Sequence, residues 1–267
     1  MQAMADRGWP WRQVLITGAS SGLGRALALA CTAPGVTLHL AGRDAARIGE
    51  VAEACIAAGA EARPRVVEVR DATSMAEWIG GAGRLDLVIA NAGISAGTGG
   101  RAEPMAVSRA VFETNVTGVL NTVLPAIEAM AEQSPGADGV RGRVAVVASI
   151  AAFVAAPGAP AYCASKAAVQ RWTEALDASE RRRGIRLHAI CPGYIRTPMT
   201  ARNRFPMPLL MEAEDAARRT LSGIAAGRVR VAYPWPLYLA ARLVGGLPPG
   251  LRAALLNPWP AKAADPG

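Results

Sequence analysis

The stretch QVLITGASSGLG, which runs from Gln13 to Gly24, contains the structural unit from which the rest of the chain can be interpreted. The apolar segment QVLITG predicts a buried strand, and the glycines after it allow a sharp turn into a helix that begins near Gly22. A strand that is apolar along its whole length is typical of a parallel sheet with helices on both faces. The stretch therefore predicts the start of an α/β fold.

Strand and helix patterns alternate through about the first 230 residues, and no repeat or low-complexity segment interrupts them. This alternation predicts one doubly wound α/β domain with a parallel sheet. The further predicted strands are VTLHLAG (36–42), RVVEVR (65–70), LDLVIANAG (85–93), GRVAVVAS (142–149) and IRLHAIC (185–191). The further predicted helices lie at 44–59, 74–80, within 104–133 and at about 161–183.

The composition is that of a globular domain, since 51% of the 267 residues are apolar and 19% are charged. The sequence shows no secretory signal and no apolar run of about 18 residues, so we expect a cytoplasmic protein without a spanning helix. The four cysteines lack the spacing of metal ligands. They predict buried thiols in a reducing compartment and no metal site.

The net charge of +8 is concentrated late in the chain, in ERRRGIR (180–186), ARNR (201–204) and ARR (217–219). This balance favours anionic partners such as phosphates or acidic lipid headgroups, although a solvated arginine-rich surface is the plainer explanation. No RNA- or DNA-binding motif accompanies the charge, so nucleic acid is not an expected partner.

The turn TGASSGLG, from Thr17 to Gly24, predicts a phosphate-binding site. Glycines there let the backbone approach a pyrophosphate, whose charge is stabilised by the helix N-terminus. A tight strand-to-helix turn also needs glycine, but the position directly after the first strand favours a dinucleotide. No GK[ST] follows, which excludes a P-loop.

The end of the second predicted strand, LHLAGRD, bears on the choice of dinucleotide. An acidic residue at this point accepts hydrogen bonds from the ribose of NAD, whereas an arginine pairs with the 2′-phosphate of NADP. If the strand ends at Ala41, Gly42 takes the acidic position, Arg43 follows, and Asp44 caps the next helix. This register favours NADP, and a slip of two residues would favour NAD.

A tyrosine and a lysine lie four residues apart in AYCASKAAVQ (161–170), so Tyr162 and Lys166 share one face of a helix. Lysine is rare here, since among the 29 basic residues only Lys166 and Lys262 are lysines. An adjacent ammonium favours the phenolate, so Lys166 is expected to lower the pKa of Tyr162 for proton transfer. Such a pair alone is also common on surfaces. Ser149 ends a predicted strand at the edge where ligands of these folds bind, and its hydroxyl can donate to a carbonyl oxygen, unless it only begins a turn.

Six motifs occur in order between Arg12 and Val231, and together they resemble the short-chain dehydrogenase/reductase family. They are TGxxxGxG at Thr17–Gly24, NAG at Asn91–Gly93, Asn115 in NVTG, Ser149, YxxxK at Tyr162–Lys166, and PGYIRTPM at Pro192–Met199. The resemblance implies a Rossmann fold and an NAD(P)-dependent enzyme with four catalytic residues. These are Asn115, Ser149, Tyr162 and Lys166.

The resemblance also implies which residues bind the cofactor. Asn91 and Gly93 would lie beside its adenosine side, Asp71 would bond the adenine, and residues from Pro192 to Thr197 would flank the nicotinamide. Asn115 would hold a kinked helix and a water that extends a proton relay from Lys166. The full expected set is Thr17, Gly18, Ser20, Ser21, Gly22, Leu23, Gly24, Arg43, Asp71, Asn91, Ala92, Gly93, Tyr162, Lys166, Pro192, Gly193, Ile195 and Thr197.

The implied reaction is hydride transfer between the nicotinamide and a carbonyl or secondary alcohol carbon. Ser149 would polarise the oxygen, Tyr162 would exchange the proton, and Lys166 would lower the pKa of Tyr162 and anchor the ribose. The segment TARNRFPMPLLMEAED (200–215) lies where such folds place a substrate lid. Its apolar residues and methionines favour a bulky hydrophobic or lipid-like substrate, with ordinary helix packing by Leu209, Leu210 and Met211 as the alternative.

Three regions are expected: an N-terminal extension (1–11), a catalytic domain (12–232) and an apolar, basic C-terminal segment (233–267). Many family members end with a strand and a tail beginning DGG, whereas this chain reads GRVRVAYPWPLYLAARLVGG. Residues 235–256 predict a helix pair packed on the domain, a substrate lid or an anchor at the inner membrane surface. A homodimer formed through the long helices is expected, and a tail-built tetramer is not.

Two other functions are compatible with an α/β fold. A serine hydrolase is disfavoured because G-x-S-x-G is absent and the two histidines, His39 and His188, lie in apolar strands typical of a core role. A non-catalytic NADPH-binding scaffold or sensor on the same fold is the stronger alternative. The presence of Ser149, Tyr162 and Lys166 together argues against it.

Overall fold

The computed structural model describes residues 11–203, 205–257 and 261–262. Within these residues seven strands form one sheet in the order β3-β2-β1-β4-β5-β6-β7, and every pairing is parallel. The strand order reverses between β1 and β4, which is the switch point of a doubly wound fold. The strands are β1 (Gln13–Thr17), β2 (Thr37–Gly42), β3 (Glu61–Val66), β4 (Leu87–Ala90), β5 (Gly142–Val147), β6 (Ile185–Pro192) and β7 (Arg230–Tyr233).

Helices cover both faces of this sheet. Leu27, Val51 and Leu221 belong to a core cluster on one face, and Val123 and Val169 belong to a cluster on the other. The described helices are α1 (Gly22–Ala30), α2 (Ala45–Ala57), α3 (Ala72–Gly80), α4 (Met105–Phe112), α5 (Gly118–Ala131), α6 (Pro160–Glu180), α7 (Ala213–Ala225), α8 (Trp235–Gly245) and α9 (Pro249–Leu256). The predicted doubly wound α/β architecture is confirmed.

The third strand lies earlier in the chain than the sequence predicts. The expected strand RVVEVR (65–70) is wrong, because Glu61–Val66 pairs with β2 instead. This edge strand is largely exposed and contains Pro64, which an edge strand tolerates, so it carries no apolar pattern. The apolar pattern comes from Val67 and Val69, which are buried after the strand ends.

A seventh strand, β7, was not expected from the divergent sequence GRVRVAY. It pairs with β6, with Val231 opposite Ile190 and Tyr233 opposite Pro192. Val231 and Tyr233 are buried while Arg230 and Ala232 are only partly so, an alternation suited to a strand at the edge of the sheet.

The long helix expected within 104–133 is interrupted by a π-helical turn at Glu113–Thr117. Such turns bend a helix and often mark functional sites. The turn brings Asn115 into the interior, where its side chain is fully buried. The π-helical turn lies where the family resemblance implies a kink.

The segment after β7 forms the helices α8 and α9. Helix α8 packs on the turn Ile150–Phe153, where the rings of Phe153 and Tyr238 meet edge to face at 5.1 Å. Gly245 is required at this contact, because a Cβ there would lie 1.7 Å from the carbonyl oxygen of Phe153. No helix in the described ranges is long and apolar enough to cross a membrane.

Candidate active site

The turn between β1 and α1 has the geometry of a phosphate-binding loop. Gly18 and Gly22 have φ angles of 64° and 53°, a region that favours glycine. A Cβ at Gly24 would lie 2.1 Å from the carbonyl oxygen of Gly18, so the helix can start this close to the strand only with glycine. Helix α1 therefore begins at the carboxyl edge of the sheet, and a helix N-terminus favours an anion.

A cavity of about 260 Å³ extends from this turn along the carboxyl edge of the sheet. The glycine turn, Arg43 after the end of β2, and the predicted catalytic residues Ser149, Tyr162 and Lys166 all border it. The predicted residues that line it are Gly18, Ser20, Ser21, Gly22, Leu23, Gly24, Arg43, Asn91, Ala92, Gly93, Ser149, Tyr162, Lys166, Pro192, Gly193, Ile195 and Thr197.

Three predicted residues are not among those that border this cavity in the described part of the chain: Thr17, Asp71 and Asn115. The hydroxyl of Thr17 is buried and accepts hydrogen bonds from the backbone amides of Asn91 (3.1 Å) and Ala92 (3.2 Å). Thr17 therefore joins the loops after β1 and β4, and its role is in building the cavity wall.

Asp71 caps a helix in this structure. Its carboxylate accepts from the Ser74 backbone amide at 3.1 Å and from the Ser74 hydroxyl at 2.7 Å. These bonds hold the Asp71 side chain at the start of α3. Val67, Glu68 and Val69 border this end of the cavity, and the sequence pattern places them in a predicted strand, so it does not mark them as site residues.

Asn115 holds the loop that follows β4. Its amide nitrogen donates to the Ile94 carbonyl at 3.0 Å and to the Ser165 hydroxyl at 3.1 Å, and its oxygen accepts from the Ile94 amide at 2.8 Å. A Cβ on Gly93 would lie 3.0 Å from the Asn115 oxygen and 3.3 Å from the Lys166 ammonium. The absent Gly93 side chain therefore leaves room for both polar groups to approach one backbone segment.

The side chain of Arg43 lies at the end of the cavity that is expected to bind adenosine. β2 ends at Gly42, so Arg43 is the first residue beyond it, and its side chain is exposed at the cavity mouth. Asp44 caps α2 by accepting from the Arg47 amide at 3.1 Å, which confirms the predicted cap. Glu68 faces Arg43 across this end and is bonded to Arg70 at 3.0 Å.

The chemistry end brings Ser149 and Tyr162 together. Ser149 lies two residues beyond the end of β5, and its hydroxyl accepts from the Ala151 amide at 3.1 Å. Burial raises the pKa of Tyr162 to about 12, and the neighbouring Ser149 hydroxyl only partly opposes that rise. Tyr162 is therefore a neutral phenol at physiological pH.

Lys166 donates its hydrogen bond to the end of β5 and not to the phenol of Tyr162. Its ammonium is buried, donates to the Val147 carbonyl at 2.8 Å, and lies 6.0 Å from the centroid of the Tyr162 ring. Burial and the nearby charge of Lys262 lower the pKa of Lys166 to about 8. The expected lowering of the Tyr162 pKa by Lys166 is not seen here, because burial of the phenol has the larger effect.

The histidines and cysteines are structural in this fold. His39 is hydrogen bonded to Gln13 at 3.2 Å and His188 to the Arg228 carbonyl at 2.7 Å, and burial lowers the pKa of His188 to about 4. All four cysteines are buried free thiols. Across the residues described, no group of three or more histidine, cysteine or acidic side chains is placed to hold a metal ion.

Comparison with known proteins agrees with this geometry. The model of the short chain dehydrogenase family matches residues 12–206. An uncharacterized oxidoreductase of Myxococcus xanthus is 38% identical over 242 residues, which cover 89% of this chain and 93% of that protein. The chain therefore belongs to the short-chain dehydrogenase/reductase family and is an oxidoreductase.

Two solved structures share the fold. A short-chain dehydrogenase/reductase from Burkholderia phymatum in complex with NAD has a TM-score of 0.78 at 24% identity, covering 96% of this chain and 97% of that one. A variant of actinorhodin polyketide ketoreductase with NADPH has a TM-score of 0.74 at 24% identity, covering 85% of this chain and 97% of that one. At this level of identity the likeness establishes the common fold.

Proposed function

We propose that this protein is an NADPH-dependent reductase of a bulky hydrophobic or lipid-like ketone, able to oxidise the matching secondary alcohol in reverse. The observation that carries the proposal is a single cavity with the glycine turn at one end and Ser149, Tyr162 and Lys166 at the other. A bound nicotinamide would supply the hydride. The ketoreductase named among the fold relatives supports the reaction class.

Each residue at the chemistry end has a role that its position supports. The Ser149 hydroxyl donates a hydrogen bond to the substrate oxygen as negative charge develops there. Tyr162, with a pKa of about 12, holds the proton at neutral pH and donates it to that oxygen, which favours the direction of reduction. Lys166 has its ammonium 6.0 Å from the centroid of the Tyr162 ring, where a positive charge favours the resulting phenolate, and it would hold a ribose hydroxyl of a bound cofactor.

The substrate end supports an apolar ligand. Ile94, Pro198 and Met199 border the cavity, and Met199 leaves 42% of its surface exposed. Leu209, from the proposed lid, is 53% exposed and lies outside any helix, which argues against the packing alternative at that position. An apolar substrate would cover these side chains and gain from their burial.

The choice of NADP over NAD rests on Arg43. In an Arg43→Asp variant we expect NADPH affinity to fall by about 10- to 100-fold while NADH affinity is maintained or improves, since a hydrogen bond to a charged group contributes about 1.5–3 kcal/mol. Fluorescence titration with each cofactor measures this. The exposed Arg182 makes the same charge change far from the cavity, so Arg182→Asp is the control. An unchanged NADPH-to-NADH ratio in Arg43→Asp would refute the assignment.

The test of the proposed reaction is cofactor oxidation with a panel of carbonyl compounds. The panel contains small and bulky ketones, aldehydes and 3-oxoacyl lipids, each offered with NADPH and with NADH. The proposal requires oxidation of NADPH by at least one bulky apolar member. Tight NADPH binding without oxidation by any member would favour the alternative, a non-catalytic NADPH-binding scaffold or sensor.

A homodimer and a peripheral membrane contact are also part of this proposal. Trp235, Leu239 and Leu243 repeat every four residues on α8 and are 69%, 46% and 66% exposed, and two leucines of α9 are exposed as well. An apolar stripe of this kind is typical of a face that is covered by another surface. Arg242 and Arg252, on the same two helices, suit an anionic membrane.

A further inference from the structure

Lys262, the second of the two lysines in the chain, contacts the ring of Tyr162. Lys262 comes from the C-terminal segment, and its ammonium lies 3.8 Å from the centroid of the Tyr162 ring, whereas that of Lys166 lies at 6.0 Å. The Lys262 ammonium also donates to the Ser95 hydroxyl at 2.6 Å. In the sequence, Lys262 is distinguished only by the rarity of lysine, which predicts no role for it.

Backbone hydrogen bonds hold this lysine in place. The Gly99 amide donates to the Lys262 carbonyl at 2.8 Å, and the Lys262 amide donates to the Gly158 carbonyl at 3.3 Å. These partners belong to the loop after β4 and the loop before α6, so the backbone of Lys262 bridges the two loops. Gly97 makes room for it, because a Cβ there would lie 2.7 Å from the Lys262 Cβ and 2.1 Å from the Gly158 oxygen.

The charge of Lys262 has no carboxylate partner among the described residues. A cation removed from water favours the face of an aromatic ring and, more strongly, an adjacent negative charge. The Tyr162 phenolate, which forms when the phenol gives up its proton, is such a charge. A second ammonium here would therefore stabilise the product of the proton transfer.

We propose that Lys262 is a positioning residue for Tyr162: the C-terminal segment lays its ammonium on the phenol ring, orients the ring toward Ser149 and stabilises the phenolate left by proton donation. This inference rests on the proposed function, because it assigns the residue a part in the same proton transfer. It also gives the C-terminal segment a role at the active site that is separate from any membrane contact.

The charges around Tyr162 are few and can be separated. The ammonium groups of Lys166 and Lys262 lie 6.0 and 3.8 Å from the centroid of the Tyr162 ring. Cys163 and Tyr194 raise the pKa of Tyr162, and the Ser149 hydroxyl lowers it. Glu103 accepts a hydrogen bond from the Ala161 amide at 3.2 Å, and its negative charge raises the pKa of Cys163. Burial lowers the pKa of Lys262 to about 8, so its charge is lost progressively above that pH.

The presence of only two lysines permits a direct experiment on the whole protein. Lysine labelled with carbon-13 at Cε gives two NMR signals, which Lys262→Met assigns. We expect Lys262 to titrate near pH 8, well below the value of about 10.4 for a solvated lysine. Titration of Lys262 near the solvated value would overturn the contact, and this titration is recorded on the wild-type protein, with Lys262→Met used only to assign the signal.

The same variant tests the effect on catalysis. In Lys262→Met we expect the Lys166 signal to titrate at higher pH, because a neighbouring positive charge has been removed. We expect kcat for ketone reduction to fall about 10-fold with cofactor affinity kept, since a charge within ~4–6 Å changes a pKa by about 1–3 units and proton transfer follows part of that change. Lys262→Arg should recover most of the rate.

Arg182→Met is the control for the loss of one positive charge, and it should leave the Lys166 titration and kcat unchanged. An unshifted Lys166 titration or an unchanged kcat in Lys262→Met would overturn the positioning role. The two proposals fail separately. A low Lys262 titration in a protein that reduces no carbonyl refutes the proposed function, whereas turnover with a solvated Lys262 refutes only this inference.

Discussion

Tyr162→Phe is expected to lower kcat for carbonyl reduction by about 10²–10⁴-fold, because the variant has no proton to give to the substrate oxygen. The phenol and Ser149 both border the cavity, and Phe keeps the ring that the Lys262 ammonium contacts. NADPH affinity should be unchanged, since the glycine turn and Arg43 are intact. Steady-state kinetics and fluorescence titration measure the two quantities.

The control for this prediction is Tyr233→Phe, which also removes one buried hydroxyl. That hydroxyl is bonded to Thr220 at 2.7 Å beneath α7 and takes no part in the cavity. The rate should survive in Tyr233→Phe. Full activity in Tyr162→Phe would contradict the role of Tyr162 as proton donor.

Asp177→Ala is expected to cost about 1.5–3 kcal/mol in the free energy of unfolding, since it removes a buried charged acceptor and leaves the Leu187 amide without its partner. Asp177 lies near the end of α6 and is 1% exposed. It accepts from Arg181 at 2.6 Å, from Arg186 at 3.0 Å and from the Leu187 amide at 2.9 Å, so it fixes α6 to β6. Chemical denaturation measures the change in stability.

The matched control is Asp215→Ala on α7. Asp215 pairs with Arg218, but about half of each side chain is exposed, and such pairs contribute about 0–1 kcal/mol. A loss of similar size in the two variants would contradict the structural role of Asp177.

The stability contributed by Asp177 should also depend on pH. Burial alone would raise its pKa, but hydrogen bonds from Arg181, Leu187 and Arg186 together hold the pKa below its ordinary value. The contribution is therefore fully present above the unfolded value of about 3.9 and is lost as the pH falls through the lower folded value. The gap between wild type and Asp177→Ala should narrow below about pH 4.

The parts of the fold that the sequence predicts are those with strong local patterns. Buried strands such as β1 and β2 are apolar throughout, and parallel topology brings their carboxyl ends to one edge. The glycine turn, Ser149 and the YxxxK pair of Tyr162 and Lys166 follow from that topology, because each lies at or beside a strand end.

The missed parts depend on contacts that no local pattern encodes. The edge strand β3 has an exposed surface and so no apolar repeat. Lys262 lies 96 positions after Lys166 in the sequence, and only the folded loops bring it to the same tyrosine. The rarity of lysine was the one available signal.

The most direct measurement follows a deuterium label from the cofactor. The protein is incubated with NADPH carrying deuterium at the transferable position of the nicotinamide, together with a bulky ketone, and the alcohol is analysed by mass spectrometry. We expect one deuterium on the carbinol carbon with the wild-type protein and almost no product with Tyr162→Phe. A product without deuterium, or equal labelled product from both proteins, would contradict hydride transfer coupled to proton donation by this tyrosine.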